Sequence, residues 1–133
     1  MDAAAKLMIQ NGTPFPMTWA HLEYEDARTN PENVLQRTLG EKSAQIIDDV
    51  RPGRVRVVCA FETDETLEHA TRCVGPYLNV RPDSGFVVWA VYDRGEGFGM
   101  RTQSARLERD EEYEGRNYRR RFVWDGKPVA RRS

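Results

Sequence analysis

The chain has 133 residues, a net charge of −1 from 20 basic and 21 acidic side chains, and 39% hydrophobic residues. That length suits one domain with one sizeable core. The near-neutral balance argues against a general nucleic-acid binder, which is normally more basic, and no run approaches the roughly 18 apolar residues of a membrane span.

Met1 to Gln10 is too short and too weakly apolar for a secretory signal. Cys59 and Cys73 are too few for a disulfide framework. These features predict a cytoplasmic protein with both thiols reduced and no membrane partner. The charge is uneven along the chain. Residues 1–66 hold 7 basic and 11 acidic side chains, and residues 67–133 hold 13 and 10. Arginine outnumbers lysine 17 to 3, a bias that a GC-rich genome explains.

In chain order, Asp2 caps three alanines, which predicts an N-terminal helix within 1–12 that ends at Asn11-Gly12. Pro14 and Pro16 mark an extended connector. Met17–Tyr24 alternates as a strand or an ordered loop would. Asn30-Pro31 reads as a helix start. Val34, Leu35, Thr38, Leu39, Ile46, Ile47 and Val50 then keep a helical period over 30–50, with Gly40 as a kink or a break. Arg54–Phe61 alternates and predicts a strand. Thr63 or Asp64 caps a helix with Leu67, Ala70, Val74, Tyr77 and Leu78 as its apolar stripe, although Pro76 sits awkwardly near its end. Phe86–Tyr92 is almost continuously apolar, as a central strand covered on both faces would be.

Residues 101–132 predict a three-stranded meander. The Asp125-Gly126 turn pairs Trp124 with Lys127, Phe122 with Val129 and Arg120 with Arg131. A weaker turn at Glu114-Gly115 pairs Leu107 with Phe122, Glu108 with Arg121, Arg109 with Arg120 and Asp110 with Arg119. Alternation places Ala105, Leu107, Phe122, Trp124 and Val129 on the expected core face. The expectation is therefore a single α+β domain over residues 1–133. Two to four helices pack on one face of a mainly antiparallel four- to five-stranded sheet that ends in the C-terminal β-meander, with strand–helix–strand plus meander over 54–132.

The meander register also sets Arg109, Arg120 and Arg131 in a row on that core face. Like charges directly opposite one another destabilise a sheet, so the row calls for an anion. A phosphate or carboxylate would suit the guanidinium forks, with Tyr118 beside them. The ordinary alternative is that these arginines extend into water over acidic side chains such as Asp48 and Asp49. The aromatic-flanked run Arg119-Arg120-Arg121 resembles a single-strand nucleic-acid surface. Opposed acids at Asp110 and Glu108 weaken that reading.

His69 and Cys73, one helical turn apart if the helix forms, with Cys59 nearby, are weak metal candidates. No C-x-x-C knuckle supports them, and no metal or cofactor is expected. Gly95-Glu96-Gly97-Phe98-Gly99 joins two strands rather than opening a helix, so it is no phosphate loop. It is a hairpin loop that presents Arg94, Glu96 and Phe98 to a partner. The acidic residues show no spacing that marks a general acid/base pair, so catalysis is not the expectation.

The leading functional expectation is a small intracellular, non-catalytic binding protein of the inhibitor or adaptor type. Small arginine-rich chains of this kind are frequent in phages and mobile elements. Its partner would be another protein or a second copy of the chain. The alternatives are a small anion or nucleotide held by the arginine row, with or without catalysis, and nucleic acid bound by the C-terminal hairpin.

Overall fold

The computed structural model describes residues 5–26, 32–63, 70–109 and 120–123. Nine strands form: β1 Ala5–Asn11, β2 Met17–Tyr24, β3 Ala44–Val50, β4 Gly53–Glu62, β5 Ala70–Val74, β6 Leu78–Val80, β7 Gly85–Asp93, β8 Gly97–Arg109 and β9 Arg120–Val123. No helix occurs among the described residues. The fold is essentially all-β, which corrects the α+β expectation.

Strands β3-β1-β7-β8-β9 make one sheet, and β2-β4-β5 make a second, with β6 continuing alongside β4. The first sheet is mixed, because β1 runs parallel to β7 while its other pairs are antiparallel. Leu7, Ile9, Val88 and Ala90 of the first sheet share one core cluster with Ala20, Val55, Val57, Cys59 and Phe61 of the second. The two sheets therefore enclose a common core, as in a sandwich.

Each misread helix has a physical cause. In β1 the buried residues are Ala5, Leu7, Ile9 and Asn11, a period of two. Flanking partners on both sides turn that alternation into a central strand and override the helical preference of the alanines. Between Leu39 and β3 the chain turns at Gly40–Ser43, where Lys42 has a φ of 65°. The apparent helical period over 34–50 is thus the sum of an ordered loop that buries Leu35 and Leu39 and a separate strand. After residue 69, Ala70–Val74 and Leu78–Val80 both pair with β4, and Gly75-Pro76 interrupts them. Pro76 marked that interruption in the sequence. The proposed helix cap at Asp64, with Leu67 and His69, lies outside the described residues.

The strands read as strands are in place. β4 contains 54–61, and β7 lies between β1 and β8 with Val87–Ala90 buried. The described part of the meander keeps the expected register, with Leu107 opposite Phe122, Glu108 opposite Arg121 and Arg109 opposite Arg120. Ala105 and Leu107, however, are not part of the core cluster between the sheets. Trp89 lies opposite Arg101, Val87 opposite Gln103 and Gly85 opposite Ala105. Ala105 and Leu107 therefore share the face of Val87 and Trp89, turned away from the common core. The Asp125-Gly126 turn, and with it Trp124, Val129 and Arg131, lies outside the described residues.

One buried side chain fastens the passage between the sheets. Asn11 is 0% exposed. Its Nδ2 donates to Phe15 O (2.8 Å) and Leu39 O (2.9 Å), and its Oδ1 accepts from Thr13 N (3.0 Å) and Thr13 Oγ1 (2.8 Å). Its backbone N donates to Ser43 O and its carbonyl accepts from Lys42 N. Gly12 follows at a close approach, where a Cβ would come within 2.6 Å of Ala90 O.

Asn11→Ala strands the buried Thr13 amide and takes one donor from each of the Phe15 and Leu39 carbonyls, which keep Thr13 Oγ1 and Met17 N. We expect a loss of about 1–3 kcal/mol in urea unfolding, the cost of one orphaned buried group. Asn11→Asp should be worse at neutral pH, because a carboxylate there faces two carbonyl oxygens. A melting temperature unchanged in both variants would show that the two strand ends are held by other means.

Candidate functional site

The β7–β8 hairpin is built by its own turn residues. Asp93 Oδ1 accepts from Gly95 N (2.8 Å) and Glu96 N (3.2 Å), the side-chain-to-backbone pattern by which aspartate closes a tight turn. Gly97 then adopts a φ of 82°, a conformation that L side chains rarely take. The base of the hairpin is anchored by aromatic packing. Phe98 stacks on Phe61 of the opposite sheet at 4.6 Å, and Tyr92 meets Phe15 edge-on at 5.1 Å and Phe98 at 4.9 Å.

An open cleft of about 250 Å³ lies on this hairpin, lined by Val91 and by Glu96 to Arg101. Its origin is visible in the register. The row Gln10–Trp89–Arg101 crosses three strands with side chains on the outward face. The next row toward the hairpin is Val91–Gly99, and beyond it Asp93–Gly97. Two glycines in succession leave no side chain there, and the cleft occupies that space. Arg101 forms part of its lining, and its buried Nε has no hydrogen-bond partner among the described residues.

The expected contact residues sort into two groups. Arg94 and Glu96 are exposed on the hairpin. Phe98 is half-buried against the core cluster and is an anchor rather than a presented side chain. Tyr92, at 38% exposure, lies on the opposite face of β7 from the cleft, beside Phe15 and Phe98. Sequence reading missed Arg101, which gains its setting only when β7 pairs with β8.

A second polar constellation lies on the outward face of the other sheet. Trp19, His21 and Glu23 alternate along β2 and so share one face. Trp19 Nε1 donates to His21 Nδ1 (2.9 Å), which assigns the ring proton to Nε2, and Nε2 lies 3.7 Å from Glu23 Oε2. Glu23 accepts from Arg56 Nε at 2.9 Å, and the Arg56 guanidinium lies 4.7 Å over the Tyr77 ring. Every polar end in this chain meets a neighbour, so it braces β2 on β4.

The arginine row is legible only in part. Arg109 and Arg120 are Cα partners, as expected, while Tyr118 and Arg131 lie outside the described residues. Of the metal candidates, Cys59 and Cys73 face each other across β4 and β5 rather than along a helix, and His69 is outside the described residues. No group of three metal-capable side chains occurs among the described residues. Both thiols are free, and burial pushes Cys59 up to about 12 and raises Cys73 as well.

No family model matches the chain, and no curated protein matches it. Among solved structures, the NMR structure of a protein from Eubacterium rectale is similar, at 15% identity and a TM-score of 0.48, over 73% of this chain and 85% of that one.

The Glu23–Arg56 pair makes stability depend on pH. The hydrogen bond from Arg56 holds Glu23 below its ordinary value of 4.5, against the opposing effect of burial. A depressed folded pKa gives stability that is complete above the unfolded value and is lost as pH falls through the folded one. The urea midpoint of the wild type should therefore fall more steeply than that of Glu23→Gln between about pH 5 and pH 3. The difference should be small, because water screens a pair this exposed. Parallel curves would remove the pair from the acid response.

Proposed function

We propose that this chain is a non-catalytic binding domain that meets a protein partner through its β7–β8 hairpin. The observation that carries the reading is the glycine-floored cleft with Arg101 in its lining and Arg94 and Glu96 exposed on the same hairpin. Its volume of about 250 Å³ falls below the roughly 300–1,000 Å³ of small-molecule pockets. It suits one or two side chains of a protein partner better than a nucleotide. Among the described residues Arg101 Nε has no acceptor, and an acidic side chain would supply one. The opposite charges of Arg94 and Glu96 would set orientation more than affinity.

Gly99→Val tests this reading. A side chain at Gly99 would touch Val91 at an ordinary distance of 3.5 Å, so the strand accepts it while the cleft fills. The wild type and Gly99→Val are immobilised and compared in quantitative capture from cells that encode the chain. We expect a specific protein held by the wild type and reduced at least about tenfold by Gly99→Val, a change of about 1.4 kcal/mol in binding, with melting temperatures equal. Equal capture by both proteins would place the contact elsewhere.

The Arg109–Arg120 register supports a second reading, anion binding at the far end of β8. Two like charges at directly opposed positions destabilise the sheet until an anion joins them. Arg120→Ala should then raise the melting temperature of the unliganded chain and remove any stabilisation by sulfate or phosphate. A lowered melting temperature would make the arginine structural.

A further inference from the structure

The geometry points to Cys59 and Cys73 as the site of a reversible disulfide that closes across β4 and β5. The two residues are direct antiparallel partners, and both belong to the core cluster, so they sit on one face of the sheet. Gly75 N donates to Val57 O at 2.8 Å, and Val57 and Gly75 lie two steps along the same ladder. Hydrogen-bonded and non-bonded pairs alternate along an antiparallel ladder, so Cys59–Cys73 is a hydrogen-bonded pair. Its Cα atoms are then about 5.5 Å apart, inside the range that disulfides span.

The Cβ atoms at such a pair are wider, toward about 5.5 Å, against the 3.5–4.5 Å of a disulfide. Closing the bond draws the strands together by about 1 Å at that rung. β5 can yield, because it is a five-residue edge strand that Gly75-Pro76 separates from β6. The strain that remains makes the bond easier to reduce, which is the mark of labile rather than structural disulfides.

The oxidant is a low-molecular-weight disulfide such as oxidised glutathione. Cys73, on the edge strand, loses its proton and attacks one sulfur of the oxidant, and the first glutathione leaves as thiolate. Cys59, once deprotonated, attacks Cys73 Sγ in the mixed disulfide and releases the second glutathione. The two protons end on the two released thiols. The protein loses two hydrogens and two electrons, and the oxidant gains them. Burial keeps both thiols protonated in the closed sheet, so the rate follows the opening of β5.

The full chain is equilibrated at neutral pH, well below its melting temperature, in buffers from reduced to oxidised glutathione. Samples are acid-quenched, unfolded and alkylated with N-ethylmaleimide, and intact mass is read. At the oxidised end we expect a monomer two hydrogens lighter than the reduced chain, with no maleimide adduct. Transfer to reduced glutathione should restore two adducts. Two adducts at the most oxidising ratio would overturn the proposal and leave the cysteines as small core residues. A bond that persists in excess reduced glutathione would overturn its reversibility. In Cys73→Ser, Cys59 should keep one maleimide adduct. If that variant fails to fold, the wild-type masses alone decide.

Discussion

The buried amide of Asn11 governs how this chain passes from one sheet to the other. A side chain without solvent contact needs partners for both its donors and its acceptor, and here they come from two separate stretches of chain. Satisfying them holds residues 13–15 and Leu39 against the end of β1. With that end held, the backbones of Met17 and Leu39 bridge, and β2 begins along the opposite sheet. The same bonds carry Phe15 into contact with Tyr92 and Phe98. The hairpin that bears the cleft is thus seated on an aromatic cluster whose position depends on an amide some distance away. An apolar residue of equal size at position 11 would fill the space but leave the Thr13 amide without its acceptor and the Phe15 and Leu39 carbonyls with one donor fewer, which is the costlier failure.

The first sheet uses its two faces differently. Toward the second sheet it presents aliphatic residues of β1 and β7 and, at the hairpin end, aromatic ones. On the other face it buries Val87 and Trp89, and then two glycines open space beside Arg101. A surface in which large buried side chains give way abruptly to backbone forms a recess with a firm floor. Firm floors favour binding because little order has to be gained when a partner arrives.

How much of this was legible follows from which signals are local. Alternation in 54–61 and the apolar run of 86–92 name strands by themselves. The meander register came from turn chemistry and pairing arithmetic, and the structure keeps Leu107 opposite Phe122 and Arg109 opposite Arg120. Which face of that meander meets the core was not local information, because it depends on where the second sheet lies. The helix readings failed for a related reason. Leu35, Leu39, Ile46 and Ile47 do recur at helical spacing, yet the turn at Gly40–Ser43 splits them between a loop and a strand. Ala5, Leu7 and Ile9 show a period of two, but the neighbouring alanines and the Asp2 cap favour a helix until β3 and β7 pair on either side. At the candidate site, Glu96 and Arg94 were readable as turn residues. Arg101 acquires meaning only through its pairing with Trp89 and the glycines that follow in register.

The edges of the sheets bear on where a partner can meet this chain. A bare edge strand invites any other strand to pair with it. Here β2 is covered by the bridge from Met17 to Leu39 and by the bond from Val34 N to Ala20 O. β3 carries adjacent Asp48 and Asp49, with Asp49 at a φ of 57°, which bends the strand out of a regular pairing conformation. Along β5 and β6, Pro76 removes a donor in the middle of the edge, and only glycine fits at position 75, because Met100 lies where a side chain would go. Each of these edges is a poor template for adding a strand. The β7–β8 hairpin offers a different kind of surface, with side-chain relief, opposite charges and a recess. That contrast favours recognition through side chains at the hairpin over pairing along an edge, and it is the physical basis for placing the proposed contact there.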